Sequence, residues 1–277
     1  MNITKYYPRI VQALYHSPWM ILPNAHETLR KGFEAHINGQ LPEIPINDED
    51  GDDEDILTNI SPSTAVITIE GVIGKRLGML EQCMGGCDVD IISDQLDMVE
   101  ANPNIQNIVL DFHTPGGSVV GVPELANKIS NLTKPTIAYT DTLCASAGYY
   151  LASQCKYIYA SPSAELGSVG VYSIYMDESR ALDNAGIKVN AISAGKYKLV
   201  GAPFKAMTDE EKEMLQADID KIYNQFKSAV VSKRNIKDED LQGQVFSGED
   251  LVDKNFIDGN IDSMKGLLQF LDNHSKQ

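Results

Sequence analysis

From Thr64 onward the chain alternates short apolar segments with stretches of helical periodicity, and this alternation restricts it to an α/β architecture. Ala65–Ile69, Ile108–Phe112, Thr136–Tyr139 and Tyr157–Ala160 read as strands. Asp90–Asn102, the segment through Leu125, Ile129 and Leu132, and Met176–Ala185 read as helices. Strands that are nearly all apolar are buried on both faces, which suits a mostly parallel sheet with covering helices. Further strands are expected at Lys188–Ile192, Val245–Ser247 and Phe256–Asp258, and a loop at Gly74–Asp88, of which Gly74–Gly86 is a candidate lid. Thr208 opens the clearest helix: Thr208 and Glu211 fit a capping box, and Leu215, Ile219, Ile222, Phe226 and Val230 form one stripe.

Two segments precede this body. Residues 1–46 form an N-terminal arm with short apolar pieces, Ile10–Leu14 and Trp19–Leu22, set off by prolines and followed by a helix over His26–Ile37. It is either a support packed on the main body or a docking arm. Residues 47–60 are an acidic linker. Its core, Asn47–Asp55, has seven acidic residues in nine and cannot bury itself. The body is assigned to residues 61–277.

Composition excludes several functions. A formal net charge of −16 is unsuited to nucleic acid, which needs a basic surface. No apolar run reaches the ~20 residues that span a bilayer, so no transmembrane segment is expected. The N-terminus has no signal-peptide pattern, and a cytoplasmic location is expected. Cys83, Cys87, Cys144 and Cys155 lack zinc-site spacing, so free thiols, no metal and no cofactor are expected.

One stretch carries chemistry. In Leu143–Ala152, Ser146 stands among small residues between a strand and a helix, where a nucleophile can meet a carbonyl and helix N–H groups can hold an oxyanion. The same pattern also makes an ordinary N-cap. Gly116 and Gly117 follow a buried strand, and with Ala147 they can supply backbone donors. A base is needed. His113 stands at the end of a strand, and Lys196 and Lys198 follow in Ala194–Lys198; an amine serves as base only when burial makes it neutral.

The ordered motifs Asp111–Ser118, Ala145–Ala152, Leu166–Val171 and Ala194–Lys198 resemble the S49 signal-peptide-peptidase (SppA-like) family, Ser/Lys peptidases of the ClpP/crotonase fold. The resemblance implies a stacked, mostly parallel sheet and a serine endopeptidase. It implies Ser146 as nucleophile, Lys198 as general base with Lys196 the lesser candidate, and Ser168 orienting the lysine. Gly117, or Gly116, and Ala147 would form the oxyanion hole. It also implies ring-shaped homo-oligomers with enclosed sites, acting on extended peptides bound by strand addition.

Within the family, the arm around Leu14–Pro23 and the Ala194–Phe204 segment are similar to phage head-maturation proteases of the lambda protein C type. That branch implies scaffold, capsid or portal proteins as substrates, in a host cytoplasm or procapsid. Two features depart from it. The chain stops at Gln277 without a scaffold region, and His113 stands where a small or acidic residue is usual. The alternatives are a stand-alone SppA-like peptidase acting on signal peptides or other peptides, an inactive scaffold-organising homologue, and an acyl-CoA enzyme, which would need neither Ser146 nor Lys198.

Overall fold

A computed structural model describes residues 8–40, 57–61 and 63–274; the acidic run Asn47–Asp55 lies outside them. The chain opens with α1 (Pro8–His16), β1 (Trp19–Ile21) and α2 (Pro23–Ile37). The body begins with β2 (Leu57–Ser61), β3 (Thr64–Glu70), β4 (Val72–Gly74), α3 (Met79–Cys83) and β5 (Gly86–Asp88). It continues through α4 (Val89–Ala101), β6 (Asn107–His113), β7 (Gly116–Ser118), α5 (Val122–Ser130), β8 (Thr136–Thr140) and β9 (Leu143–Ala145). Next come α6 (Ala147–Ser153), β10 (Tyr157–Ala160), β11 (Glu165–Gly167), α7 (Ser179–Asn184) and α8 (Asp209–Val231). β12 (Val245–Ser247), α9 (Glu249–Asp253), β13 (Gly259–Asn260) and α10 (Met264–His274) complete it.

The largest sheet runs β13-β10-β8-β6-β3-β2, parallel throughout except for the antiparallel pair β2–β3. The alternation of side chains along a strand divides its apolar residues between two layers. Ala65, Ile67 and Ile69 of β3 and Ile108, Leu110 and Phe112 of β6 face α4, α5 and α6 in the main core. Val66, Val109, Ile137 and Tyr139 face the other way, onto Leu267, Leu268 and Leu271 of α10. Both faces are therefore covered, which is why these strands read as continuous apolar runs. The expected α/β body is found.

Two smaller sheets, β1-β7-β4-β5 and β12-β11-β9, grow from the C-terminal ends of these strands. Here the structure corrects several expectations. The Gly74–Asp88 stretch is not a plain loop, since it holds α3 and β5. Lys188–Ile192 is not a strand: it is irregular, and Ile192 is fully exposed, because its apolar residues find no strand partner among the described residues. Phe256 and Ile257 enter the core rather than a ladder, and pairing with β10 falls on Gly259–Asn260. The expected Met176–Ala185 helix is shortened to α7. β2, at the end of the stretch read as linker, and α10 were not anticipated.

Candidate active site

Three segments lie side by side where the large sheet gives way to the small ones. β9 pairs in parallel with β11, which sets Ala145 opposite Gly167 and brings the next residues, Ser146 and Ser168, to the same level. The Ser146 N–H donates to the Gly167 carbonyl at 2.8 Å. On the other side of β9, the Thr114 N–H donates to Leu143 O at 2.8 Å and the Ala145 N–H to Thr114 O at 3.0 Å. That register carries the Gly116–Gly117 strand up to the serine: a β-carbon built on Gly116 would lie 3.0 Å from Ser146 Cβ.

Both serines have left-handed backbones, φ 53° at Ser146 and 55° at Ser168, two of four such non-glycine residues among the described ones. Such a conformation costs on the order of 1–3 kcal/mol and persists only where the surroundings enforce it. For Ser146 the enforcement comes from both flanks: the ladder holds Ala145, and α6 begins at once, the Tyr150 N–H donating to Ser146 O at 2.9 Å. Gly148 lets that helix sit close, since a β-carbon there would come within 2.4 Å of Thr114 Cγ2. As the first residue of α6, Ala147 has an N–H with no intrahelical acceptor. Ser146 and Ser168 are both buried.

Thr114 is a support the sequence reading missed. Its hydroxyl donates to Gly71 O at 2.5 Å and accepts from the Gly116 N–H at 3.1 Å, bracing the glycine strand. A polar residue directly before Pro-Gly-Gly at the end of a buried strand was the available signal.

The candidate bases separate. Lys196 pairs with Glu210, which also accepts from the Tyr197 hydroxyl at 2.8 Å. The hydrogen bond to Glu210 raises the Lys196 ammonium above its ordinary value, which favours the charged form over the free amine a general base requires. Lys198 is exposed, and among the described residues its amine has no hydrogen-bond or ion-pair partner. Among the described residues no hydrogen bond joins it to Ser146. His113 is held by Thr142 Oγ1 at 2.8 Å and faces Asp111 at 3.2 Å and Asp141 at 3.6 Å, which engages its ring with acidic neighbours. Burial raises the Asp111 carboxyl, partly offset by His113. The glycine strand is itself paired: β1 of the arm runs antiparallel to β7. All four cysteines are free thiols, and burial pushes Cys144 well above its ordinary value. No cluster of metal-ligating side chains occurs among the described residues.

The model for peptidase family S49 matches residues 128–274, a span that contains Ser146, Ser168 and Lys198 but not Gly116–Gly117. A protease candidate of Methanocaldococcus jannaschii is 34% identical over 169 residues, 59% of this chain and 54% of that protein. Capsid assembly protease C of Escherichia phage lambda is 26% identical over 225 residues, 79% of this chain and 51% of that protein. Protease 4 of Salmonella typhi is 26% identical over 185 residues, 64% of this chain and 30% of that protein. The chain thus spans about half the length, or less, of these curated relatives.

Proposed function

This chain belongs to peptidase family S49, and on that premise we propose that it is a serine endopeptidase with a Ser/Lys dyad, built on a ClpP/crotonase-like fold. One observation carries the reading: Gly116, Ser146 and Ser168 converge from three separate segments, with Ser146 in a strained turn at the start of a helix.

The chemistry is acyl transfer. Lys198 takes the Ser146 proton, and Oγ attacks the peptide carbonyl. The N–H groups of Gly117, with Gly116 beside it, and of Ala147 hold the oxyanion. The lysine then protonates the leaving amine, and water activated by the same lysine releases the acyl group. Ser168 orients the lysine. The pairing of Lys196 with Glu210 favours Lys198 as the base.

Lys198 is exposed, and acyl transfer at a peptide carbonyl is favoured in a site closed to bulk water, so Lys198 needs a cover. The chain around it leaves Ile187, Val189, Ile192 and Tyr197 exposed. A second copy of this chain, in a ring, would cover that surface and complete the site.

The substrate reading is broad: an SppA-like peptidase acting on signal peptides or other extended peptides. A narrower reading, cleavage of scaffold, capsid or portal proteins in phage head maturation, draws support from one observation. The similarity to the lambda protease extends over 79% of the chain, against 59% for the archaeal relative. Among the described residues no helix is long and apolar enough to cross a membrane.

The test is hydrolysis of a quenched fluorescent peptide. Ser146→Ala should lower the rate by at least about a thousandfold. Lys198→Met should be as severe, and Lys196→Met should stay within a few-fold of the parent. Activity retained in Ser146→Ala overturns the mechanism, and the reverse order of the two lysine variants moves the base to Lys196.

A further inference from the structure

The part of the N-terminal arm that reaches the site does so as a strand with a partner on each edge. β1 lies antiparallel to β7, with Trp19 opposite Ser118, Met20 opposite Gly117 and Ile21 opposite Gly116. On its other edge the Trp19 N–H donates to Tyr172 O at 2.9 Å, and the Tyr172 N–H donates back to Trp19 O at 3.1 Å. Tyr172 lies four residues past Ser168. A segment held between the glycine strand and the chain leaving Ser168 is held as an extended peptide would be in strand addition.

The ladder assigns the atoms. Opposed residues of an antiparallel pair alternate between bonded and non-bonded positions. The Leu22 N–H donates to Pro115 O at 2.9 Å, so the next bonded pair is Met20 with Gly117. The Gly117 N–H, the proposed oxyanion donor, therefore faces the Met20 carbonyl. Independent geometry agrees: a β-carbon on Gly116 would lie 2.1 Å from Met20 O, 3.0 Å from Ile21 Cα and 3.0 Å from Ser146 Cβ. The Met20–Ile21 peptide bond thus lies beside Ser146.

Side chains follow the same alternation. Met20 is 1% exposed and joins the main core, whereas Trp19 and Ile21 join the arm's own cluster with Leu14 and Phe33. The arm's seat is incomplete. Val72 and Met84 pack on the arm's cluster, but an open groove of about 510 Å³ remains between the arm and this side of the body, lined by Trp19, Phe33, Ile73, Met84 and Ser118 among others. Missing contacts of this kind lower the cost of lifting the strand.

We infer that β1 is an internal substrate mimic. It closes the peptide cleft of the proposed peptidase, with Met20 in the place of the residue whose carbonyl is attacked. An external peptide enters by displacing Trp19–Ile21, and an unbranched apolar residue such as Met takes the Met20 position. This rests on the reading of Ser146 as nucleophile.

The test uses the full chain and a quenched fluorescent peptide with Met before the cleaved bond. Met20→Asp places a charge in an apolar socket and should release the strand. Hydrolysis should rise at least tenfold, and adding Ser146→Ala should abolish it. Should Met20→Asp lose its cooperative melting transition, a cross-link decides instead. Trp19→Cys with Ser118→Cys, in a Cys83→Ser background, sets two thiols at a non-bonded position, where the Cα separation suits a disulfide. Oxidation should cut hydrolysis at least tenfold, and reduction should restore it. Ser146-dependent hydrolysis that is unmoved by a disulfide verified by mass, or equal in the parent and a folded Met20→Asp, overturns the inference and leaves the peptidase reading standing. Hydrolysis that persists in Ser146→Ala, or is absent from every variant, removes the peptidase reading and the inference with it.

Discussion

At Ser146 the backbone records a conflict between the chain's preference and the site's demand. At φ 53° and ψ −112° a side chain is strained, and glycine is not. Ser146→Ala keeps the strain while removing the hydroxyl; Ser146→Gly removes both. Relief of roughly 1–3 kcal/mol, less the ~0.5–1 kcal/mol that glycine loses in conformational freedom, leaves a net gain of about 1 kcal/mol. Ser146→Gly should therefore melt about 2–4 °C above Ser146→Ala, with both inactive. Equal melting temperatures would mean that the turn stores no strain. The serine was legible in sequence as a candidate because small residues surround it and a helix follows. Its strain was not, because it arises from β11 and Thr114 gripping the turn from two sides.

Among the elements, α8 was the most legible and also the most instructive. Its capping box is present as expected: the Glu211 N–H donates to Thr208 Oγ1 at 3.2 Å, and the Thr208 N–H donates to Glu211 Oε2 at 3.0 Å. Lys205 adds two hydrogen bonds to the same carboxylate, at 2.7 and 2.6 Å, and with Thr208 it holds Glu211 below its ordinary value. A carboxylate lowered by folding stabilises the native state above its unfolded value. That contribution is lost as pH falls through the depressed folded value. The melting-temperature advantage of the parent over Glu211→Gln should therefore be full at pH 7 and should shrink once the pH drops below about 4. An advantage that grows on acidification would refute the pairing. Thr208→Ala, which removes the cap itself, should cost about 1 kcal/mol at neutral pH. The apolar stripe of the helix was equally legible, but only Phe226 and Val230 are fully buried, while Leu215 and Ile219 stay partly open. Periodicity reports that a face is apolar and is silent on what covers it.

For the whole molecule, Ile187, Val189 and Ile192 are exposed as well, in the stretch that read as a strand. A strand needs a neighbour to hydrogen-bond with, and none lies beside it among the described residues. If a second copy supplies the cover, Ile192→Asp should shift the protein to a smaller species by size-exclusion chromatography with light scattering. It should also lower Ser146-dependent hydrolysis at least tenfold, while the far-ultraviolet circular dichroism of the body stays unchanged. A parent that is monomeric and fully active would rule out an assembled site.

The sequence by itself determined the α/β body, the order of most strands and helices, the cap of α8, and the family to which the chain belongs, because these follow from local periodicity, turn chemistry and short ordered motifs. Tertiary structure decided what stands next to what. It brought Gly116, Ser146 and Ser168 together from positions spread over more than fifty residues, bound Lys196 to Glu210, and laid Trp19–Ile21 along Gly116–Ser118. The physical reason is that a strand's hydrogen-bonding groups are the same in every sequence. Three residues with their N–H and C=O groups free can join any open edge, and only the packed core, which anchors α1 and α2 on either side of β1, selects the edge they join.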